Sequence, residues 1–170
     1  MLGLIERIME CNIKIMKIWI CQALCSGLKK ARFLTETDFV RSLFMKGCPL
    51  RCQWCSTPES HRKEIQTTLD GKITYGRIMT VEEVLVEVRK DIPFYFHSGG
   101  GMTVSGGEIL AQSEFVYNLV RRARWEGIDT CIETSFYGAW DKIEPILDCT
   151  DTAFVDLKLM DQKPIESISG

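Results

Sequence analysis

The chain lacks the features that would assign it to a membrane, to export or to nucleic acid. Lys14, Lys17, Lys29 and Lys30 interrupt the apolar N-terminal region, so no segment reaches the length of a membrane span. The same region lacks the basic, apolar and small-residue order of a signal peptide. The formal net charge is −2, whereas nucleic-acid-binding proteins are usually basic. We therefore expect a cytoplasmic protein that binds neither membranes nor nucleic acid.

Cysteine, by contrast, is abundant, with eight residues in the chain. Cys48, Cys52 and Cys55 all fall within the stretch GCPLRCQWC. Disulfides at such short spacing are strained, and a secreted disulfide framework would spread its cysteines along the chain. The triplet therefore indicates reduced thiolates that bind a metal.

Residues 1–34 show no clear pattern and are predicted to form a divergent N-terminal extension. The stretch IKIMKIWI is compatible with a strand or a helix, and Gly27, followed by two lysines, predicts a break. Cys11, Cys21 and Cys25 have no recognisable ligand spacing and are predicted to be packed cysteines, with a second metal site as the alternative.

From residue 35 onward, strands alternate with helices. Composition predicts four strands, at 39–45, 102–105, 128–133 and 152–160. Apolar periodicity predicts three helices, which begin at Thr80, span 114–126 and lie around 140–148. This alternation indicates parallel strands joined by right-handed crossovers.

Local motifs set the expected boundaries. Thr80 and Glu83 form a capping box for the first helix. Ser113 is expected to cap the second helix and Gly127 to end it. The Asp-Gly pair at 70–71 predicts a hairpin turn within the polar segment that follows the cysteines.

Polar residues cluster where the predicted strands end. The cysteine loop follows the first strand, and a Gly-Gly pair with Glu108 follows the second. Glu133 and Thr134 end the third strand, and Asp156 and Lys158 lie late in the fourth. Because ligands of parallel sheets and barrels bind beyond the C-terminal strand ends, we expect these groups to meet in one site.

The C-x3-C-x2-C spacing lets three thiolates converge from one loop. Zinc and ordinary iron–sulfur clusters usually take four protein ligands, so a cubane cluster held by Cys48, Cys52 and Cys55 leaves one iron open. An open iron can chelate the amino and carboxylate groups of S-adenosylmethionine. The alternative is a zinc site completed by His61, although the first gap of three residues is unusual for zinc.

Two other groups suit such a ligand. Gly106 and Gly107 let backbone carbonyls approach it closely, and Glu108 adds a carboxylate for an ammonium group; a solvated glutamate beside a tight turn is the alternative. Asp156 and Lys158 share one face of the predicted strand. The aspartate suits ribose hydroxyls or a cation, and the lysine suits a carboxylate. The alternative is that the two side chains form a structural ion pair.

With these motifs in place, the chain resembles the glycyl radical enzyme activating proteins, which are radical S-adenosylmethionine enzymes similar to the activator of pyruvate formate-lyase. The resemblance rests on KGCPLRCQWCSTPES, MTVEEVL, SGGGMTVSGGE, ETSFYGAW and FVDLKLMD. It implies an α/β fold, a partial (β/α) TIM-like barrel of which about four of six strands are present. Residues 35–170 would be the core domain of a radical S-adenosylmethionine enzyme, truncated at its C-terminus.

The resemblance also implies a chemistry. A 4Fe-4S cluster would pass one electron to S-adenosylmethionine, and the resulting 5′-deoxyadenosyl radical would take hydrogen from a glycine of the partner enzyme. The partners would be that glycyl radical enzyme and an electron donor of the flavodoxin or ferredoxin type. Because such radicals are destroyed by oxygen, we expect an anaerobic source.

Site residues carry over by position. Trp54, Cys55 and Ser56 would lie by the adenosine. The glycine pair with Glu108 would hold the methionine ammonium, and the Asp156–Lys158 pair would contact ribose and carboxylate. The residues that would line a monovalent cation site, as in some relatives, are Glu133, Thr134 and Asp156.

The chain departs from the family pattern in several places. ETDFVR replaces a glycine-containing stretch that precedes the first strand, Ile109 replaces a common proline, and Phe136 stands where glycine is common and is expected to crowd the cation site. Residues 60–79 contain no cysteine, which indicates the single-cluster subgroup. Two other functions stay open: a non-catalytic zinc or iron–sulfur module, and a remnant that binds a cluster without S-adenosylmethionine.

Overall fold

The computed structural model describes residues 22–32 and 39–158. Its main sheet has six strands, and a separate two-stranded hairpin follows the cysteine loop. The strands are β1 (Gln22–Arg32), β2 (Phe39–Met45), β3 (Gln66–Thr67), β4 (Thr74–Tyr75), β5 (Arg77–Thr80), β6 (Gly101–Gly106), β7 (Asp129–Thr134) and β8 (Thr152–Val155). The helices are α1 (Val81–Arg89), α2 (Ile92–Ser98), α3 (Ser113–Trp125) and α4 (Trp140–Leu147).

The sheet has the order β5-β1-β2-β6-β7-β8. β2, β6, β7 and β8 are the four predicted strands, and each pairs in parallel with its neighbour. The predicted parallel arrangement is therefore confirmed. β1 and β5 add two antiparallel strands on the β2 side, which periodicity did not predict.

The N-terminal prediction of a break at Gly27 is wrong. Gly27 lies inside β1, where the register against β2 shifts between Cys25 and Gly27. A bulge absorbs such a shift without ending the strand, and glycine tolerates the local geometry. Cys25 is fully buried in the core, as predicted, whereas Cys11, Cys21 and the IKIMKIWI stretch lie outside the described residues. The domain division at residue 34 stays a prediction.

Most predicted boundaries are confirmed. Thr80 accepts a hydrogen bond from the Glu83 amide while the Glu83 carboxylate accepts one from the Thr80 amide, which is the capping box expected for α1. Gly127, with a φ of 75°, follows the end of α3. The predicted hairpin turn at 70–71 joins β3 to β4.

Two boundary predictions are wrong, and one helix was missed. Ser113 is the first residue of α3 rather than its cap, because a 3-10 turn over Ile109–Gln112 runs directly into the helix. β8 ends at Val155, so Asp156 and Lys158 lie just beyond the strand. The short helix α2 was missed because its sequence, IPFYFHS, is rich in aromatic residues and has no apolar periodicity.

Helices pack on one face of the sheet and form the core with it. Val84, Leu85 and Val88 of α1 and Leu119 of α3 are fully buried. The sheet meets them with alternate residues of its parallel strands, which are Leu43, Met45, Met102, Val104 and Ile132. None of the four helices in the described part of the chain has the length and apolar character to cross a bilayer.

Candidate metal and cofactor site

One cleft at the C-terminal ends of the parallel strands gathers the predicted site residues. Its volume is about 280 Å³. All eleven predicted metal and cofactor residues line it, namely Cys48, Cys52, Trp54, Cys55, Ser56, Gly106, Gly107, Glu108, Glu133, Asp156 and Lys158. The cation candidate Thr134 and the alternative zinc ligand His61 line it too. The structure thus brings residues from four separate strand ends to one place.

The three thiols of the cysteine loop are half-buried and free. Burial raises the pKa of the Cys48 thiol, and the neighbouring Glu108, Cys52 and Cys55 add to the shift. A bound metal centre would reverse it, because thiolates are the ligands and metal binding releases their protons.

The donor set fits a cluster with three protein ligands. Among the other described cysteines, Cys25 lies in the core, and Cys131 and Cys149 do not line the cleft. Within the same residues, no group of three histidine, cysteine or carboxylate side chains is arranged around a single-ion position.

Two glycines at the end of β6 allow the backbone there to contact the backbone at the start of the cysteine loop. A Cβ on Gly106 would lie 2.3 Å from the Met45 amide nitrogen, and a Cβ on Gly107 would lie 2.4 Å from the Gly47 carbonyl oxygen. The Gly107 amide donates to the Met45 carbonyl at 3.0 Å, and the Glu108 amide donates to the Gly47 carbonyl at 2.9 Å. Any side chain at these glycines would push the β6 loop off the base of the cysteine loop.

Glu108 is buried, and other groups of the chain already bind its carboxylate. One oxygen accepts from the Thr134 hydroxyl at 2.6 Å and the Leu110 amide at 3.2 Å. The other accepts from the Ser135 amide at 2.9 Å and from the Ser135 hydroxyl. A carboxylate offers about four acceptor positions, so all of them have donors. Glu108 thereby fastens the loop after β6 to the end of β7.

The other two acidic side chains of the cleft also have partners within the chain. The Ser105 hydroxyl donates to Glu133, and the Lys158 ammonium binds the Asp156 carboxylate. Burial lowers the pKa of Lys158, but the hydrogen bond and the charge of Asp156 outweigh it and leave that pKa raised. Lys158 therefore carries a positive charge in the cleft at neutral pH.

Phe136 occupies a strained backbone position near this site. Its φ of 55° lies in the left-handed region, which costs a non-glycine residue about 1–2 kcal/mol. This explains why glycine is common at the position. The prediction that Phe136 crowds the cation site is wrong, because its side chain packs against the core and does not line the cleft.

Sequence patterns missed several polar residues of the site. Ser135 binds Glu108, Ser105 binds Glu133, and the Thr57 hydroxyl donates to the Gly106 carbonyl at 3.2 Å. Each is a small hydroxyl residue inside one of the motifs that carry the family resemblance, and that position was the signal in the sequence that could have indicated it.

Comparison with known proteins defines the class. Residues 37–169 match the family model described as a 4Fe-4S single cluster domain. The chain therefore belongs to this 4Fe-4S family, and the predicted cluster is confirmed.

The relatives define the branch. The chain is 38% identical over 170 aligned positions to the (2S)-3-sulfopropanediol dehydratase activating enzyme of Klebsiella oxytoca, an alignment that covers 70% of this chain and 54% of the relative. It is 34% identical over 128 positions to the pyruvate formate-lyase-activating enzyme of Clostridium pasteurianum, with 75% of this chain and 49% of the relative covered. The resemblance to glycyl radical enzyme activating proteins is confirmed, and it supports S-adenosylmethionine as the second cofactor. The chain spans about half the length of these curated relatives.

A solved structure supports the fold. QueE from Escherichia coli superposes with a TM-score of 0.63 at 18% identity, covering 87% of this chain and 65% of that chain. At this identity the likeness shows the fold alone, and it confirms the predicted partial α/β barrel.

Proposed function

We propose that this chain is the cofactor-binding core of a radical S-adenosylmethionine activase, which cleaves S-adenosylmethionine reductively and installs a glycyl radical on a partner enzyme. One observation carries the proposal: four strand ends bring three free thiols, the glycine pair with Glu108, and the charged residues Asp156 and Lys158 to a single cleft.

Cys48, Cys52 and Cys55 would hold the cluster, which would supply the one electron that breaks a carbon–sulfur bond of S-adenosylmethionine. The Lys158 ammonium suits the carboxylate of the cofactor, because it is charged and faces the cleft. Trp54 is 61% exposed beside the thiols and offers a ring face to the adenine, with Ser56 next to it.

The methionine ammonium would meet backbone carbonyls and hydroxyls rather than a free carboxylate. Glu108 keeps Thr134 and Ser135 in place, and its own acceptor positions are taken. Glu133 and Asp156 bring two further acidic groups to the cleft, where a monovalent cation would bind together with Thr134.

The proposed partners are a glycyl radical enzyme, as protein substrate, and a reductant of the flavodoxin or ferredoxin type. The names of the relatives support the first partner. They refer to sulfopropanediol dehydratase, isethionate sulfite-lyase, pyruvate formate-lyase and choline trimethylamine-lyase.

Anaerobic reconstitution with iron and sulfide tests the proposal. We expect a brown protein that, with dithionite and S-adenosylmethionine, forms 5′-deoxyadenosine and methionine. Cys52→Ala should abolish both the cluster and the cleavage, whereas Cys149→Ala, which removes a thiol outside the cleft, should change neither.

Two outcomes would overturn the proposal. A colourless protein with one zinc per chain would indicate the metal-binding module instead. A brown protein that binds a cluster but yields no 5′-deoxyadenosine would indicate a remnant without radical chemistry.

A further inference from the structure

A fully buried lysine lies two residues before the first cluster cysteine. Lys46 follows the end of β2 and has no exposed surface. Its ammonium donates to the Glu59 carbonyl at 2.7 Å and to the Gln66 side-chain oxygen at 2.9 Å. Its aliphatic stem lies against Gly76, where a Cβ would come within 3.1 Å of the lysine Cδ. The lysine thus joins the end of the cysteine loop to the base of the β3–β4 hairpin.

The contact of Lys46 with Glu59 is the first of three consecutive contacts that close the cysteine loop. The Gly47 amide donates to the Ser60 carbonyl at 2.7 Å, and the Cys48 amide donates to the His61 carbonyl at 3.0 Å. Residues 46–48 therefore supply three donors in succession, and residues 59–61 supply three carbonyl acceptors in the same order. Two of the donors are backbone amides, and the third is the lysine side chain.

The main chain of Lys46 is held from the other side. Its amide donates to the Leu24 carbonyl at 3.0 Å, and its carbonyl accepts from the Gln112 side chain at 2.8 Å. The Gln112 amide group also binds the Leu24 amide at 2.9 Å and the Leu24 carbonyl at 2.8 Å. Hydrogen bonds therefore fix the backbone of Lys46, and its side chain holds Glu59, at the far end of the cysteine loop, at a set distance from that backbone.

An ammonium without exposed surface is costly unless it is well bonded, and an apolar side chain of similar length would fill the same space at a smaller desolvation cost. In the described part of the chain, Lys46 has a carbonyl and an amide oxygen as acceptors rather than a carboxylate. An ion pair is therefore not what this lysine provides. Its bonds fix the carbonyl of Glu59 relative to Cys48.

We propose that Lys46 is a positioning residue for the cluster: it closes the loop that carries Cys48, Cys52 and Cys55, and so sets how the three thiolates converge. This inference rests on the proposed cluster site. It predicts that loss of the ammonium loosens the hold on the cluster without removing any ligand.

Lys46→Met tests the inference on the anaerobically reconstituted protein, because methionine keeps the unbranched stem and removes the donors. Lys72→Met is the matched control, since the Lys72 side chain is 80% exposed at the hairpin. We expect Lys46→Met to release iron to a chelator at least about tenfold faster than the unchanged protein, because both charge-assisted hydrogen bonds of the ammonium are lost. Lys72→Met should release iron at the unchanged rate.

The electron paramagnetic resonance spectrum of the dithionite-reduced cluster gives a second readout. With S-adenosylmethionine added, the Lys46→Met spectrum should differ in line shape from that of the unchanged protein, and the Lys72→Met spectrum should not. Urea unfolding of the same holoproteins measures stability separately. If Lys46→Met loses stability but keeps the iron release rate and the spectrum, its role is structural only and the inference is overturned.

If Lys46→Met does not fold, Gln66→Leu tests the same positioning role of Lys46. It removes one acceptor and leaves the lysine bonded to Glu59, so a smaller acceleration of iron release is expected. An unchanged release rate would overturn the inference. Failure of the unchanged protein to take up a cluster would instead overturn the proposed function.

Discussion

The two faces of the parallel sheet are built from the same strands and differ in almost every other respect. On the face that packs against the helices, Met102, Val104 and Ile132 are buried among apolar neighbours. On the other face, their chain neighbours Ser105 and Glu133 bind each other and line the cleft. Side chains alternate along a strand, so one residue of shift separates the apolar core from the chemistry.

The helix face of the sheet provides most of the stability, and the cleft face provides the binding groups. Each fully buried aliphatic side chain on the helix face contributes about 1.5–3 kcal/mol by leaving water. The cleft face instead buries polar groups, which are tolerated because each one has a partner within the chain. Substitutions on the helix face should therefore change stability alone, and substitutions on the cleft side should change ligand binding.

The largest expected effect is at Glu108, which contributes both to stability and to the ligand-binding cleft. Glu108→Gln places an amide NH2 opposite hydrogen-bond donors, and each buried donor left without an acceptor costs about 1–3 kcal/mol. We expect a lower free energy of unfolding in urea and loss of S-adenosylmethionine binding, measured by anaerobic equilibrium dialysis.

Glu133→Gln is the matched control for Glu108→Gln. The Ser105 hydroxyl can still donate to the new amide oxygen, so the free energy of unfolding should change by less than about 1 kcal/mol. Equal losses of stability in the two variants would show that the hydrogen bonds to Glu108 do not stabilise the fold as described.

Ile132→Ala tests the helix face at the residue before Glu133. The side chain is 1% exposed, and its truncation should lower the free energy of unfolding by about 2–5 kcal/mol. The affinity for S-adenosylmethionine, measured on the folded protein, should stay unchanged. A loss of affinity as large as that in Glu108→Gln would remove the distinction between the two faces.

A third variant concerns ionic contacts within the helix layer. Arg89 binds Glu126 and Glu82 at once, and Arg122 also binds Glu126. The hydrogen bond from Arg89 lowers the pKa of Glu126, with a further contribution from Arg122. A lowered pKa in the folded state means that the stabilisation is present above the ordinary carboxyl pKa and is lost as pH falls through the lowered value.

Glu126→Gln should therefore lower stability by about 1 kcal/mol at pH 7, and the difference from the unchanged protein should disappear in acid. Glu87→Gln, which breaks an exposed pair with Lys90, serves as control and should change stability little at any pH. Urea unfolding at a series of pH values measures both. A difference that persists in acid would contradict the assignment.

The smallest effect is expected at the start of α1. Thr80→Ala removes half of the capping box and should cost about 1 kcal/mol, because the Glu83 amide loses its acceptor. Thermal unfolding checks this, and cluster content should remain that of the unchanged protein. A lower cluster content would mean that α1 and the cleft are coupled.

Much of this arrangement was predictable because its causes are local. Local composition predicted the four parallel strands, and Thr80 and Gly127 marked helix ends through backbone chemistry that depends on a few neighbouring residues. The rule that parallel strands present their C-terminal ends at one edge then predicted the shared cleft.

The antiparallel strands β1 and β5 and the helix α2 were not predictable in the same way. β1 is interrupted by a bulge, and β5 has only four residues, so neither shows sustained alternation. α2 begins at Ile92, with Pro93 in its first turn, and ends at Ser98, followed by Gly99 in the left-handed conformation. Those end markers were visible, but its short, aromatic-rich interior has no apolar periodicity that would indicate a helix.

Spacing and strand order, which the chain encodes in short stretches, were sufficient to indicate three thiolates, a glycine pair and their meeting place. The partners of the polar groups required the folded structure. Glu108 with Ser135 and Lys46 with Glu59 join residues that are 27 and 13 positions apart, and no local pattern specifies such pairs. A hydrogen bond depends on atoms arriving within about 3 Å of each other, and the packing of β2, β6 and β7 and the closure of the cysteine loop set those distances.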